Sequence, residues 1–168
     1  METVSKLSFL TKIKGYISLL KLRLSSLVVM SAFFGYLLAG GNLSSIIFFE
    51  LIIGGILITG SSNGFNQIIE AKTDALMSRT SSRALPSGIL NNFEALLFCS
   101  ITGFLGLYLL LEINFISFIL GLLAMVLYTV IYTPLKKITP FAVFVGAIPG
   151  SFPPLLGYVA VTNSLCLE

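Results

Sequence analysis

The feature that most constrains this chain is a series of five apolar runs, at about 24–40, 46–65, 93–111, 115–133 and 141–161. A helix needs about 20 predominantly apolar residues to cross the hydrocarbon core of a bilayer, and each run comes close to that length. The breaks between them carry turn chemistry: GGNLSS at 40–45, a long polar stretch at 70–92, Glu112-Ile113-Asn114, and TPLKKITP at 133–140. Only 10% of the 168 residues are charged and 56% are hydrophobic, whereas a soluble domain carries roughly 25% charged residues. A water-soluble globule is therefore excluded. The expected fold class is all-α, a polytopic membrane helix bundle of about five transmembrane helices. The expected organisation is a basic leader at 1–23, a membrane part at 24–162 and a short tail at 163–168.

Positive charge gives the expected orientation. The leader holds Lys6, Lys12, Lys14, Lys21 and Arg23, the 70–92 loop holds Lys72, Arg79 and Arg83, and the break before the fifth run holds Lys136 and Lys137. These are all ten Lys and Arg residues, and the loops on the other side have none. Cytoplasmic loops carry the excess of Lys and Arg, so the N-terminus, the long loop and the Lys-Lys turn are expected in the cytoplasm and the C-terminus on the far side. The basic leader before the first run imitates a signal peptide, with Ala39-Gly40-Gly41 as small residues after it. Four further apolar runs argue for a retained first span.

The chain has no His, which excludes His-ligated haem or zinc and a His general base from this chain. Carboxylate metal chemistry remains open. Cys99 lies inside an apolar run and Cys166 near the end, and both read as small hydrophobes rather than a disulfide pair.

Most of the remaining polar information lies in NGFNQIIEAKTDALMSRTSSRALPSG at 63–88. Asn66, Glu70 and Asp74 are spaced i, i+4, i+8, so on a helix continuing past the second run they form one stripe with neighbours about 6 Å apart. Two carboxylates and an amide suit Mg²⁺, which binds few protein carboxylates and completes its shell with water and substrate phosphate oxygens. Arg79 and Arg83, beside Lys72, add donors suited to a polyanion. Together these residues read as a diphosphate site at the membrane surface. The plainer alternative is a solvated helix end with headgroup anchors. Against it, Asn63, Asn66 and Gln67 fall where the run should still be partly in the membrane, and polar groups there need a cavity or a partner helix.

Other features carry two readings. Tyr128, Tyr132 and the TPLKK turn fit either a substrate-facing helix end or an aromatic belt with snorkelling lysines. Pro149, Pro153 and Pro154, with Gly146, Gly150 and Gly157, interrupt the fifth run and mark either a packing kink or a cavity wall. Glu50 reads as an interfacial residue.

Three strings carry a family resemblance: N-x-x-x-E-x-x-x-D-A-L-M-x-R-T-x-x-R-x-L-P-S-G from Asn66 to Gly88, YTPLKKITP from Tyr132 to Pro140, and GAIPGSFPPLLGYVAVT from Gly146 to Thr162. Together they resemble the protoheme IX farnesyltransferase (heme O synthase) family, within the UbiA-type intramembrane prenyltransferases. The resemblance implies the N-terminal part of a nine-helix fold around a central cavity, and a truncated chain is expected, because a second aspartate-rich motif and a later Trp- and His-containing segment are missing. Ala71, Lys72, Thr73 and Ala84 depart from the family's usual residues, while the motif acids Glu70 and Asp74 remain.

By the same resemblance the reaction would transfer a farnesyl group from farnesyl diphosphate to the 2-vinyl group of heme B, with a hydroxyl added from water, giving heme O. Mg²⁺ would be held by Asn66, Glu70 and Asp74. Lys72, Arg79, Arg83, Tyr132 and Lys136 would bind substrate, Lys136 as a partner for heme propionates. The expected setting is the cell inner membrane. The expected partners are the lipid bilayer and a heme A synthase or terminal oxidase assembly machinery, with no nucleic acid. A prenyltransferase of quinone synthesis, an inactive fragment or assembly partner, and a small transporter module are the competing readings. Arg79 and Arg83 discriminate against the last, since they would impede a cation path.

Overall fold

The computed structural model describes residues 9–165. Lys6, Cys166 and the outermost parts of the expected leader and tail lie outside the described residues. Seven α-helices run in order: α1 (Phe9–Leu20), α2 (Leu22–Leu38), α3 (Ile46–Asp74), α4 (Asn92–Ile113), α5 (Phe115–Val126), α6 (Thr133–Leu135) and α7 (Ala142–Thr162). A π-helical turn, Leu127–Tyr132, joins α5 to α6. No strand occurs among the described residues, as the all-α expectation requires.

Among the described residues, five helical stretches are long and apolar enough to cross a membrane: Phe9–Leu38, Ile46–Asp74, Asn92–Ile113, Phe115–Leu135 and Ala142–Thr162. The chain is a multi-pass membrane protein. Its helices are apolar nearly all round, and large side chains such as Phe34, Leu38, Phe104, Val143 and Phe144 point outward, as the lipid-facing surface of a bundle does.

The ends of the helices follow local chemistry. Ser45 caps α3 by accepting from the Ile47 N–H at 3.2 Å. Asn91 and Glu94 form a reciprocal capping box on α4, at 2.7 and 3.0 Å. Asn114 ends α4, caps α5 through the Ser117 N–H at 2.7 Å, and donates to the Val159 carbonyl of α7 at 3.0 Å. One residue thus sets a tight turn and ties a third helix to it.

The helix through the first span is already formed at Phe9, the first described residue, inside the stretch read from the sequence as a leader. It breaks at Lys21, which adopts a left-handed conformation (φ 44°, ψ 53°) uncommon outside glycine. The break frees backbone carbonyls, and polar side chains satisfy them: Gln67 Nε2 donates to the Leu19 carbonyl at 2.9 Å and Ser25 Oγ to that of Leu20 at 2.7 Å. In hydrocarbon such groups must be paired within the protein, which gives Gln67 a structural reason to lie within the apolar run.

Packing is most extensive between α3 and α4, then between α2 and α7. On α3–α4, Ser61 Oγ donates to the Cys99 carbonyl at 2.7 Å. On α2–α7 the backbones nearly touch: a Cβ at Gly35 would run into the Pro154 carbonyl oxygen, and one at Gly157 into the Ala32 carbonyl oxygen. Small residues allow this approach where the hydrophobic effect gives no drive between helices in lipid. The main core joins Ala32 and Tyr36 of α2, Leu51 and Ile58 of α3, Leu110 of α4, Leu120 of α5, and Leu156, Val159 and Ala160 of α7. A second cluster, Leu19, Ala84, Leu85, Leu90, Ala95 and Cys99, pins the loop after α3 against α1 and α4.

Candidate functional site

Helix α3 continues through Asp74, so Asn66, Glu70 and Asp74 occupy successive turns of one helix, as their spacing requires. Asn66 is buried at 3% exposure and Asp74 at 6%. Asn66 Oδ1 accepts from Lys136 Nζ at 3.0 Å and from Thr133 Oγ1 at 3.1 Å. The same ammonium reaches Glu70 Oε2 at 3.1 Å and lies 5.5 Å from the centroid of the Tyr132 ring. One turn further, Arg83 Nη1 donates to Asp74 Oδ2 at 2.6 Å. The site therefore alternates along α3: amide and carboxylate around Lys136, then carboxylate against Arg83.

Local structure explains these arrivals. Pro134 lacks an N–H and cannot continue a regular ladder, and the helix directly before it widens into the π turn, where the single Thr133 hydroxyl proton is shared between the Tyr128 carbonyl at 2.8 Å and Asn66 Oδ1. Single π turns recur at functional sites because they re-aim side chains. Here the turn precedes Tyr132, Thr133 and Lys136, the residues that meet α3. Arg83 is held by the pinned loop, in which Thr80 Oγ1 also donates to the Asp74 carbonyl at 2.9 Å.

Five of the expected residues thus come together with Arg83: Asn66, Glu70, Asp74, Tyr132 and Lys136. Lys72 and Arg79 are exposed and form no ion pair among the described residues. Lys136, expected to face a heme propionate, is turned onto the α3 stripe. Two residues were missed. Thr133 gave only the weak signal of sitting inside the YTPLKK string. Lys21, counted with the leader, lies within electrostatic reach of Glu70, Asp74, Arg83 and Lys136.

The donor set is suited to a hard divalent cation, since Asn66, Glu70 and Asp74 offer oxygen alone. The Lys136 ammonium bridges Asn66 Oδ1 and Glu70 Oε2. No group of three or more His, Cys, Asp or Glu forms a metal cluster among the described residues, so any ion here would rely on the amide and on further oxygens from a ligand.

Beside this polar cluster lies an apolar cavity of about 260 Å³ between α2, α3, the α5–π segment and α7. Asn63 and Tyr128, each about one turn from Asn66 and Tyr132, line its upper part, and Gly146, Pro149, Gly150 and Pro153 form the α7 wall. Four of the six Gly and Pro residues of the fifth run thus border a cavity, while Pro154 and Gly157 lie at the α2–α7 contact. A polar head flanked by cations and carboxylates, with an apolar chamber behind it, is shaped for an amphiphile with an anionic end.

The model of the UbiA prenyltransferase family matches residues 28–168. The chain belongs to the UbiA prenyltransferase family. Among similar proteins of that family, the protoheme IX farnesyltransferase of Cytophaga hutchinsonii is 42% identical over 155 residues, covering 91% of this chain and 54% of the relative. That of Christiangramia forsetii is 44% identical, covering 88% and 49%, and that of Rhizobium etli 38%, covering 92% and 50%. The chain spans about half the length of the curated relatives it matches. A solved structure described as digeranylgeranylglyceryl phosphate synthase superposes with a TM-score of 0.79 at 25% identity, over 89% of this chain and 53% of that one. The UbiA membership and this likeness agree with the five-span helical bundle.

Proposed function

We propose that this chain acts in transfer of the farnesyl group of farnesyl diphosphate to the 2-vinyl group of heme B, giving heme O. The observation that carries the reading is the meeting of Asn66, Glu70 and Lys136, beside the Asp74–Arg83 pair, at an apolar cavity. The likeness to protoheme IX farnesyltransferases supports the choice of substrates within the family.

In the proposed reaction the allylic C–O bond breaks and diphosphate leaves with the electron pair. The vinyl carbon attacks the farnesyl C1, and water adds to the resulting cation with loss of a proton. Negative charge builds on the leaving group, so the site must stabilise that charge more than the bound substrate. UbiA-family enzymes generally use a divalent metal, and Mg²⁺ bound at Asn66, Glu70 and Asp74 would neutralise part of the diphosphate charge. Lys136, released from Glu70, is placed to contact phosphate oxygen, and Arg83 offers a planar fork beside Asp74. Lys72 and Arg79, exposed on the same side, are proposed to engage when substrate arrives. The apolar cavity takes the farnesyl tail and keeps water from the allylic carbon.

The setting is proposed to be the cell inner membrane, with the N-terminus and the site in the cytoplasm, because all ten Lys and Arg fall on the site's side of the predicted topology. A heme A synthase or the terminal oxidase assembly machinery is the proposed consumer of the product. A cation-conducting role is disfavoured: Lys136 and Arg83 already neutralise Glu70 and Asp74.

The test is Mg²⁺-dependent farnesyl transfer to heme B in reconstituted membranes. Asp74→Asn is expected to abolish it, as loss of the carboxylate charge weakens both the proposed metal site and the pairing with Arg83. Equal turnover by that variant would overturn the metal-site assignment.

A further inference from the structure

We propose that a constriction within the apolar cavity gauges the length of the isoprenoid tail, with Ala124 and Thr59 as its specificity-determining residues. The inference rests on the proposed prenyl diphosphate site and adds which part of the protein selects the tail.

Below the 260 Å³ chamber lies a second, smaller pocket of about 50 Å³, lined among others by Val29, Gly55, Leu110, Gly121, Phe152 and Leu156. Five residues border both spaces: Val28 of α2, Ile58 and Thr59 of α3, Ala124 of α5 and Pro153 of α7. They come from four helices, and in the proposed gauge they form the ring between the two spaces. The lower pocket exists because small residues face it. A Cβ at Gly121 would meet Ile58 Cδ1 at 3.0 Å, and one at Gly55 would meet Val29 Cγ2 at 3.0 Å. Leu110 and Leu156, both buried in the core, line it and serve as the floor of the proposed gauge.

Depth along α3 turns this shape into a length. At 1.5 Å rise per residue, the ring at Thr59 lies about 10 Å below Asn66, and Gly55 lies about 16 Å below it. An isoprene unit contributes four carbon–carbon bonds of about 1.5 Å, which in extended form advance on the order of 5 Å. Two units therefore reach the ring, and a third passes through it into the lower pocket. A fourth meets the floor. The chamber alone suits a C10 tail, the chamber with the lower pocket suits C15, and C20 is refused unless the tail folds back.

The ring residues differ in what they permit. Ala124 is the smallest side chain of the five and only partly buried, so enlarging it blocks the passage without forcing the main core apart. Thr59 stands on another helix, also partly buried, and enlarging it closes the same ring from a second side. If the ring is the gauge, two independent plugs have the same effect on length preference.

The experiment measures binding of geranyl, farnesyl and geranylgeranyl S-thiolodiphosphates to the purified full chain in nanodiscs with Mg²⁺, together with inorganic diphosphate. The wild type is expected to prefer the C15 analogue over C10 and C20. In Ala124→Leu and in Thr59→Leu the C15-to-C10 affinity ratio is expected to fall at least tenfold, with monodisperse, folded protein in each case. Phe152→Ala, which enlarges the lower pocket, is expected to raise C20 binding relative to C15. A C15-to-C10 ratio unchanged in both plugged variants, with tight binding retained, overturns the gauge and leaves the diphosphate site standing. Wild-type protein that binds neither the analogues nor diphosphate overturns the site reading itself.

Discussion

Lys136 is the residue on which the site turns. Its ammonium occupies the space between Asn66 Oδ1 and Glu70 Oε2 at 3.0 and 3.1 Å, where a metal ion would draw on the same two oxygens. With Mg²⁺ bound as proposed, the two cations would compete, which gives a signed prediction. Lys136→Met is expected to tighten Mn²⁺ or Mg²⁺ binding several-fold, read by calorimetry or Mn²⁺ resonance, while weakening binding of diphosphate at least tenfold. Equal metal affinity in the variant would count against a shared cation position. Arg83 presents the opposite case. Asp74 is nearly buried and Arg83 Nη1 lies 2.6 Å from it, so Arg83→Leu leaves a buried carboxylate short of its donor. That loss is expected to cost about 1–3 kcal/mol, measurable by unfolding in mixed micelles. Added Mg²⁺ is expected to restore part of it. The stripe itself was legible in the sequence from its i, i+4, i+8 spacing. That Lys136 and Arg83, rather than Lys72 and Arg79, close on it was not, because all four read alike as basic residues near a polar loop.

At the level of elements, two devices position the chemistry. The π turn Leu127–Tyr132 adds one residue to the helical register, rotating everything after it by about 100° relative to a regular helix. Pro134→Ala restores an N–H and favours a regular helix, so it is expected to turn Tyr132 and Lys136 away from α3. Farnesyl transfer should fall at least tenfold with little loss of helicity by circular dichroism, and retained turnover would deny the turn its positioning role. The α2–α7 contact is the second device, since these helices form one side of the cavity. Gly157→Ala places a methyl against the Ala32 carbonyl and is expected to destabilise the bundle by about 1–3 kcal/mol, seen as earlier unfolding with the α4 cap unaffected. The sequence marked this helix by its Gly and Pro residues but left open whether they served a kink or a wall. Gly157 lies at the crossing, while Gly146, Pro149, Gly150 and Pro153 line the chamber, so the separate positions serve separate ends.

For the whole molecule, the proposed orientation has a direct check. Ser82 lies in the loop after α3 and Ser44 in the opposite turn, both exposed. In a chain whose native Cys166 is replaced by Ser, Ser82→Cys is expected to be labelled by a membrane-impermeant maleimide only after permeabilisation and Ser44→Cys in intact cells; the reverse pattern would invert the topology. Five spans, the confinement of every Lys and Arg to alternate breaks and the stripe on α3 were all legible in the sequence itself. Each rests on composition or periodicity over a few turns, and hydrocarbon leaves a chain so apolar few alternatives to helices. The tertiary structure decided the rest. It brought Lys136 onto Asn66 from 70 residues away, bent the first span at Lys21, and opened an apolar chamber between four helices. Those results depend on where one helix meets another. Side chains from α2, α3, α5 and α7 define the cavity jointly, so no single stretch of sequence contains its shape.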